Sequence, residues 1–263
     1  KERAVKSVRS FAVEQVLAPT MVSQYLDQLA ARPDVKSPAA RELVEHARNA
    51  GFGDLVVSDS VTSEAPVAAP FLKGLTLLSQ GQLDPAANQF RAAMKAGADF
   101  YPAMVYLGAC YAAGGQDKEA AGAWRTALIR ENDTVGVHLL LSEALMRSGR
   151  GDLAMQQLAR ARERWPQDDG LTRRYMAAAF ANGMYAQGLK VVDQLVERKA
   201  DDEPTLSLAL LVLYDAFVTR RPVETAERDR AQMTRLVAAY RDRGGPQLAL
   251  VETWLAAAEK PRK

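Results

Sequence analysis

Glycine returns at a fixed interval of 34 residues in this chain: Gly81, Gly115, Gly149 and Gly183 share one phase. A helix that ends in a tight reversal needs a left-handed backbone, and glycine adopts it without a steric penalty. The clearest unit is Tyr101–Asp133, where apolar-periodic stretches at 101–113 and 118–130 flank Gly114-Gly115-Gln116-Asp117. That spacing predicts a helical hairpin about one supersecondary unit long. Four repetitions predict hairpins stacked in series, because one hairpin cannot bury its apolar face alone.

Other positions keep the same beat. Ala86, Ala120, Ala154 and Gly188 are small residues early in each second helix. Phe90, Trp124, Leu158 and Val192 follow four residues later, and Ala93, Ala127, Ala161 and Leu195 complete the stripe. In the first helices Gly74, Gly108 and Ser142 hold one phase, which Met176 breaks. A small residue facing a large one lets two helices approach closely and interlock.

Gly108, Tyr111, Ala120, Trp124, Ala127 and Pro166 together resemble the tetratricopeptide repeat pattern. The resemblance covers four repeats, 67–100, 101–134, 135–168 and 169–202; the second matches best and the fourth least, with Gly188 at the packing Ala position. Lys73 departs from the expected Leu. The implied fold is all-α: a right-handed superhelical α-solenoid with atypical capping helices at both ends. It divides the chain into a helical cap and loop at 1–66, the repeats at 67–202, and an enlarged fifth hairpin with a closing helix at 203–263.

The resemblance also implies a site. In the family, first helices line a concave face whose residues select the ligand. Carried over by position, the groove comprises Phe71, Leu75 and Leu78; Val105, Ala109 and Ala112; Leu139, Glu143, Met146 and Arg147; and Arg173, Ala177 and Phe180. The Lys/Asn clamp that grips C-terminal carboxylates in one subgroup is missing, so chaperone tails are not the expected ligand. An apolar trough with Glu143, Arg147 and Arg173 towards one end suits an amphipathic helix or apolar peptide. The competing expectation is an architectural arm whose trough is filled by its own N- or C-terminal helices.

Composition agrees with a non-enzymatic scaffold. A net charge of +2 argues against a dominant field for nucleic acid or an acidic substrate. RNA-reading helical repeats present polar side chains to bases, which Leu75, Ala109 and Ala177 cannot do. The single cysteine, Cys110, excludes an internal disulfide framework and a cysteine-rich zinc site. No phosphate loop, metal-spaced His pair or nucleophile elbow is present, so neither catalysis nor a cofactor is expected. His46 and His138 fall on separate helices, and His138 takes a packing position. Asp168-Asp169 and Asp201-Asp202 precede helices, where helix-start electrostatics account for acids. Arg220, Arg221, Arg228, Arg230, Arg235, Arg241 and Arg243 alternate with Glu224, Glu227, Asp229 and Asp242, a pattern expected to pair along a solvated helix face.

The ends read differently from the middle. A weak amphipathic helix over 1–17 is expected to stop at Pro19, with Thr20 capping the next helix and Ser37-Pro38 opening a third. Residues 51–66 read as a packed loop in which Leu55, Val56 and Val57 seek burial. Helices are expected at 204–219, 223–242 and after Pro246. The run Leu206–Leu213 is too short to span a bilayer. The chain begins at Lys1 without a signal-like apolar stretch, the mark of a fragment or processed product. Phe11 to Pro19 and Tyr25 to Ala30, followed by repeats, are similar to the C-terminal region of bacterial proteins that join a von Willebrand factor A-like domain to such repeats. That second resemblance implies the interaction half of a larger, extracytoplasmic protein.

Overall fold

In each of the four hairpins the chain leaves the first helix through the same hydrogen-bonded turn. Gly81, Gly115, Gly149 and Gly183 have φ of +75°, +80°, +76° and +71°. Each donates its N–H to the carbonyl three residues back, and the next residue donates five residues back: Gly115 to Ala112 and Gln116 to Tyr111, for example. This double bond satisfies carbonyls that the helix end would orphan. Lys199 (φ 56°) donates to Val196 O and Ala200 to Leu195 O, the same pair of bonds, so the left-handed cap also closes the fourth hairpin's second helix.

The computed structural model describes residues 11–129, 134–218 and 223–259. Every regular element among them is helical. Helical residues 11–16 (α1) are followed by α2 Pro19–Ala30, α3 Pro38–Ala50 and α4 Asp59–Glu64. The repeats are α5 Ala68–Ser79 with α6 Leu83–Ala96, α7 Pro102–Ala113 with α8 Asp117–Ile129, α9 Val135–Arg147 with α10 Gly151–Arg164, and α11 Asp169–Ala181 with α12 Tyr185–Glu197. Then come α13 Glu203–Val218, α14 Val223–Asp242 and α15 Leu248–Glu259. The chain forms two compact units, residues 1–157 and 158–263, divided within α10.

Size complementarity holds the hairpins closed. A methyl group on Gly74 would lie 2.6 Å from the Phe90 ring, and one on Gly108 would lie 2.5 Å from Trp124 Nε1. The fourth hairpin inverts the scheme: Gly188 on the second helix receives Phe180 from the first, at 2.3 Å from a would-be Cβ. The missing packing Ala is thus compensated by a ring from the opposite helix.

Several local expectations are corrected. Pro19 starts α2 at its first turn instead of merely ending α1, and Thr20 lies inside the helix; Pro is tolerated there because first-turn N–H groups have no intrahelical acceptor. The stretch read as one loop contains α4, capped by Ser58 Oγ accepting from Val61 N. Before it, Leu55 and Val57 pack on the core while Val56 is 89% exposed, since successive side chains of an extended segment point opposite ways. Ser37 caps α3 as expected, accepting from Ala40 N at 3.1 Å. Among the described side chains, Arg235 pairs with Asp193, Arg241 with Glu252 and Arg243 with Asp201 across elements, and Arg228 with Asp229 within α14. Arg220 and Arg221 lie outside the described residues.

Candidate functional site: a filled face and an open apolar face

The first unit is built around an aromatic cluster. Phe71 on α5 meets Phe90, Phe100 and Tyr106 at centroid distances of 5.8, 5.0 and 5.4 Å, and Tyr25 of α2 stands edge-on to Tyr106 at 5.9 Å. Such tilted and edge-on geometries suit the ring quadrupole. Burial pushes the Tyr106 phenol well above its ordinary pKa, with Tyr25 adding to the shift, so the hydroxyl stays protonated and donates to Val16 O at 2.8 Å.

That bond places the N-terminal helices against the first helices of the repeats. Phe11 and Ala12 share a water-sized cavity with Ala112, Leu140, Glu143, Ala144 and Arg147. Met21 abuts Gly136 at the start of α9. The groove positions of the first two repeats, Phe71, Leu75, Leu78, Val105, Ala109 and Ala112, are all closed to solvent. In the third repeat Leu139, Glu143, Met146 and Arg147 are half-buried, and Arg147 pairs with Asp117 at 3.1 Å.

In the second unit, Arg173 donates to Ala200 O at 2.9 Å and lies 3.4 Å from Asp202, which ties α11 to the turn before α13. Ala177 is half-buried, and Phe180 is spent inside its hairpin against Gly188. Sequence reasoning did not single out the exposed face of α13. Leu206, Ala209, Leu210 and Leu213 go inward, yet Leu211 is 50% exposed with half-buried Leu208 and Val212 beside it. Tyr214 stacks on Trp254 of α15 at 4.9 Å, and Leu250 on α15 is 45% exposed. The signal was available: α13 is apolar nearly all round, which an ordinary surface helix is not.

Chemistry-bearing groups are occupied structurally. His138 is buried and its Nδ1 meets Gln157 Nε2. Among the described residues, no group of three His, Cys, Asp or Glu could hold a metal ion. Burial raises the Cys110 thiol to about 12, against a smaller lowering by Arg91. A thiol protonated until such pH is a poor nucleophile. Native protein at pH 8 is therefore expected to leave a disulfide-exchange reagent unreacted, with one equivalent consumed after denaturant is added; immediate native reaction would place Cys110 at an open surface. No described helix is long and apolar enough to cross a membrane.

Repeated antiparallel hairpins with glycine-capped first helices and small-to-large seams define a helical-repeat protein. Residues 71–134 and 118–169 match the sequence profile of the tetratricopeptide repeat, and the chain carries such repeats. No curated protein matches it in sequence. Among solved structures it is similar to YrrB, a TPR protein described as having an unusual peptide-binding site, with 16% identity, 75% of this chain and 99% of that chain covered, and a TM-score of 0.58. It is also similar to a chain of the APC/C hetero-tetramer Cut9–Hcn1, with 16% identity, 97% of this chain and 55% of that chain covered, and a TM-score of 0.51. At such identities these likenesses concern the fold alone.

Proposed function

We propose that this chain is a non-catalytic protein-interaction scaffold that holds a peptide or amphipathic helix of a partner protein. The repeat fold supports the general reading, and the peptide-binding site described for YrrB shows that a chain of similar fold can take such a ligand. The observation that carries it is exposed apolar surface on the second unit: Leu211 of α13, with half-buried Leu208 and Val212 beside it in the helix, and Leu250 of α15. Monomer surfaces rarely leave neighbouring large apolar side chains open without a use. The spacing at 208, 211 and 212, followed by exposed Asp215, fits a helix with its own apolar stripe and a basic residue one turn beyond. Arg173 and Ala177 belong to this proposal as further positions on the second unit. The parent-protein reading also stays a proposal, supported by the similarity over Phe11–Pro19 and Tyr25–Ala30.

The test is a panel of fluorescein-labelled helical peptides with Leu/Val stripes at i, i+3 and i+4 and a basic flank. Leu211→Glu and Leu250→Glu are expected to weaken the best binder at least about tenfold while leaving the melting curve in place, because both side chains are already wetted. Equal binding by wild type and both variants would remove this face from the function.

The architectural reading has an observation of its own. The groove positions of the first two repeats are closed to solvent, and Tyr106 of α7 donates to Val16 O of α1, which supports a trough filled by the chain's own N-terminal helices.

A further inference from the structure

Directly after the stripe residues Ala93, Ala127, Ala161 and Leu195 come Met94, Leu128, Arg162 and Val196, again on the 34-residue beat. All four are half-buried. Met94 and Leu128 pack on the core of the first unit and Val196 on that of the second. Arg162 therefore puts a cation where the other three repeats put an apolar side chain. A half-buried charge costs desolvation, and functional side chains concentrate where a chain breaks its own pattern.

The surroundings hold this cation without neutralising it. The Arg162 guanidinium lies over the Tyr175 ring at 4.5 Å and donates through Nη2 to Gln194 Oε1 at 3.1 Å. Those contacts fix its plane and use one of five N–H donors. Among the described residues, no carboxylate pairs with it. Burial lowers its pKa; Tyr175 opposes the shift and the like charge of Arg198 adds to it. Arg198 is itself anchored, to Pro166 O at 3.0 Å and to Asp169 at 2.8 Å. A cation at the end of a helix is ordinary, which accounts for Arg198 but not for the half-buried place of Arg162. Beside both arginines a notch of about 300 Å³ opens, bounded by Arg162, Pro166, Gln194, Glu197 and Arg198. Four of these five residues are polar, so the notch suits a polar group and not an apolar side chain.

From this arrangement we infer that the notch between the ends of α10 and α12 is a second contact site, which takes a carboxylate side chain of a partner protein on Arg162. A guanidinium held flat on a ring presents its N–H edge as a fork, and a carboxylate matches that fork. Arg198 adds a fixed positive field. Glu197, exposed on the same rim, repels a second negative charge and accepts a cation. The partner class is therefore a helix with an acid and a base one turn apart on one face, not a polyanion. None of the lining residues belongs to the first-helix groove or to the Leu211 and Leu250 surface, though the assignment rests on reading the chain as an interaction scaffold.

The probe is a fluorescein-labelled alanine-based helix with one Glu and a Lys four residues later, titrated into the full chain beside a twin with Gln in place of Glu. Wild type is expected to bind the Glu peptide at least about tenfold tighter than its twin. Arg162→Leu is expected to erase that difference and still melt within about 2 °C of wild type or above it, because Leu128 shows that the repeat accepts leucine here. Arg162→Lys keeps the charge but not the fork, and its preference should fall between the two. Glu197→Lys is expected to move the preference to a peptide with Glu at both positions. This charge swap decides alone should Arg162→Leu fail to fold. No preference for Glu over Gln in wild type, an Arg162→Leu chain that retains it, or a Glu197→Lys chain with wild-type preference overturns the inference. Loss of the Glu preference with the Leu/Val-striped peptides still bound, or the reverse, separates failure of this site from failure of the apolar face.

Discussion

Trp124→Ala is expected to destabilise the first unit by about 3–5 kcal/mol, the range for removing a large buried ring. Trp124 is 1% exposed, and its indole lies against Gly108, where no side chain from α7 could fill the space it leaves. Its Nε1 donates to Val105 O at 2.9 Å, so the ring also fixes how α8 sits on α7. Helices held together by backbone closeness cannot easily collapse into the void, which puts the substitution in the costly part of the range. Trp124→Phe keeps most of the volume and is expected to cost clearly less. Hydrogen exchange should report the loss in α7 and α8 while α13 keeps its protection, since the two units are separately compact. A thermal melt and exchange pattern matching wild type would remove the small-to-large seam as the organising contact.

The repeats were legible because their causes are local. A left-handed cap is required within each hairpin, so Gly81, Gly115, Gly149 and Gly183 record it in sequence at one spacing. Gly108 and Trp124 lie within one repeat and could be paired from spacing alone. The fourth hairpin was harder, since exchanging the large and small partners between helices left Gly188 looking like a defect until Phe180 was seen against it. The short α4 carries no apolar stripe of useful length and was hidden among turn-forming residues. Surface exposure was the least legible property. Position within the repeat placed Phe71, Leu75 and Val105 on first helices, but it says nothing of what lies over them. That depends on contacts such as Tyr106 with Val16, which are 90 residues apart and belong to no period.

Phe71→Glu is expected to behave as a folding variant, with a cost above about 4 kcal/mol, because it puts a carboxylate where no polar partner stands ready. Phe71 has no exposed surface and touches Phe90, Phe100 and Tyr106 at once, joining α5, α6 and α7 in a single contact. Truncation alone would open a cavity at that junction; the charge adds desolvation, and the site can relieve it by protonating the acid or by admitting water. Either route loosens Tyr106, hence the bond to Val16 and the seat of the N-terminal arm. A domain's stability is only about 5–15 kcal/mol, so this one change should populate an unfolded or open first unit. The loss should ease as pH falls towards the raised pKa of the introduced acid, since the neutral form is cheaper to bury. Far-ultraviolet circular dichroism with denaturant titration at pH 5 and pH 8 would read this, with the smaller loss at pH 5. A variant as stable as wild type at both pH values would mean that the ring cluster is not the core of this unit.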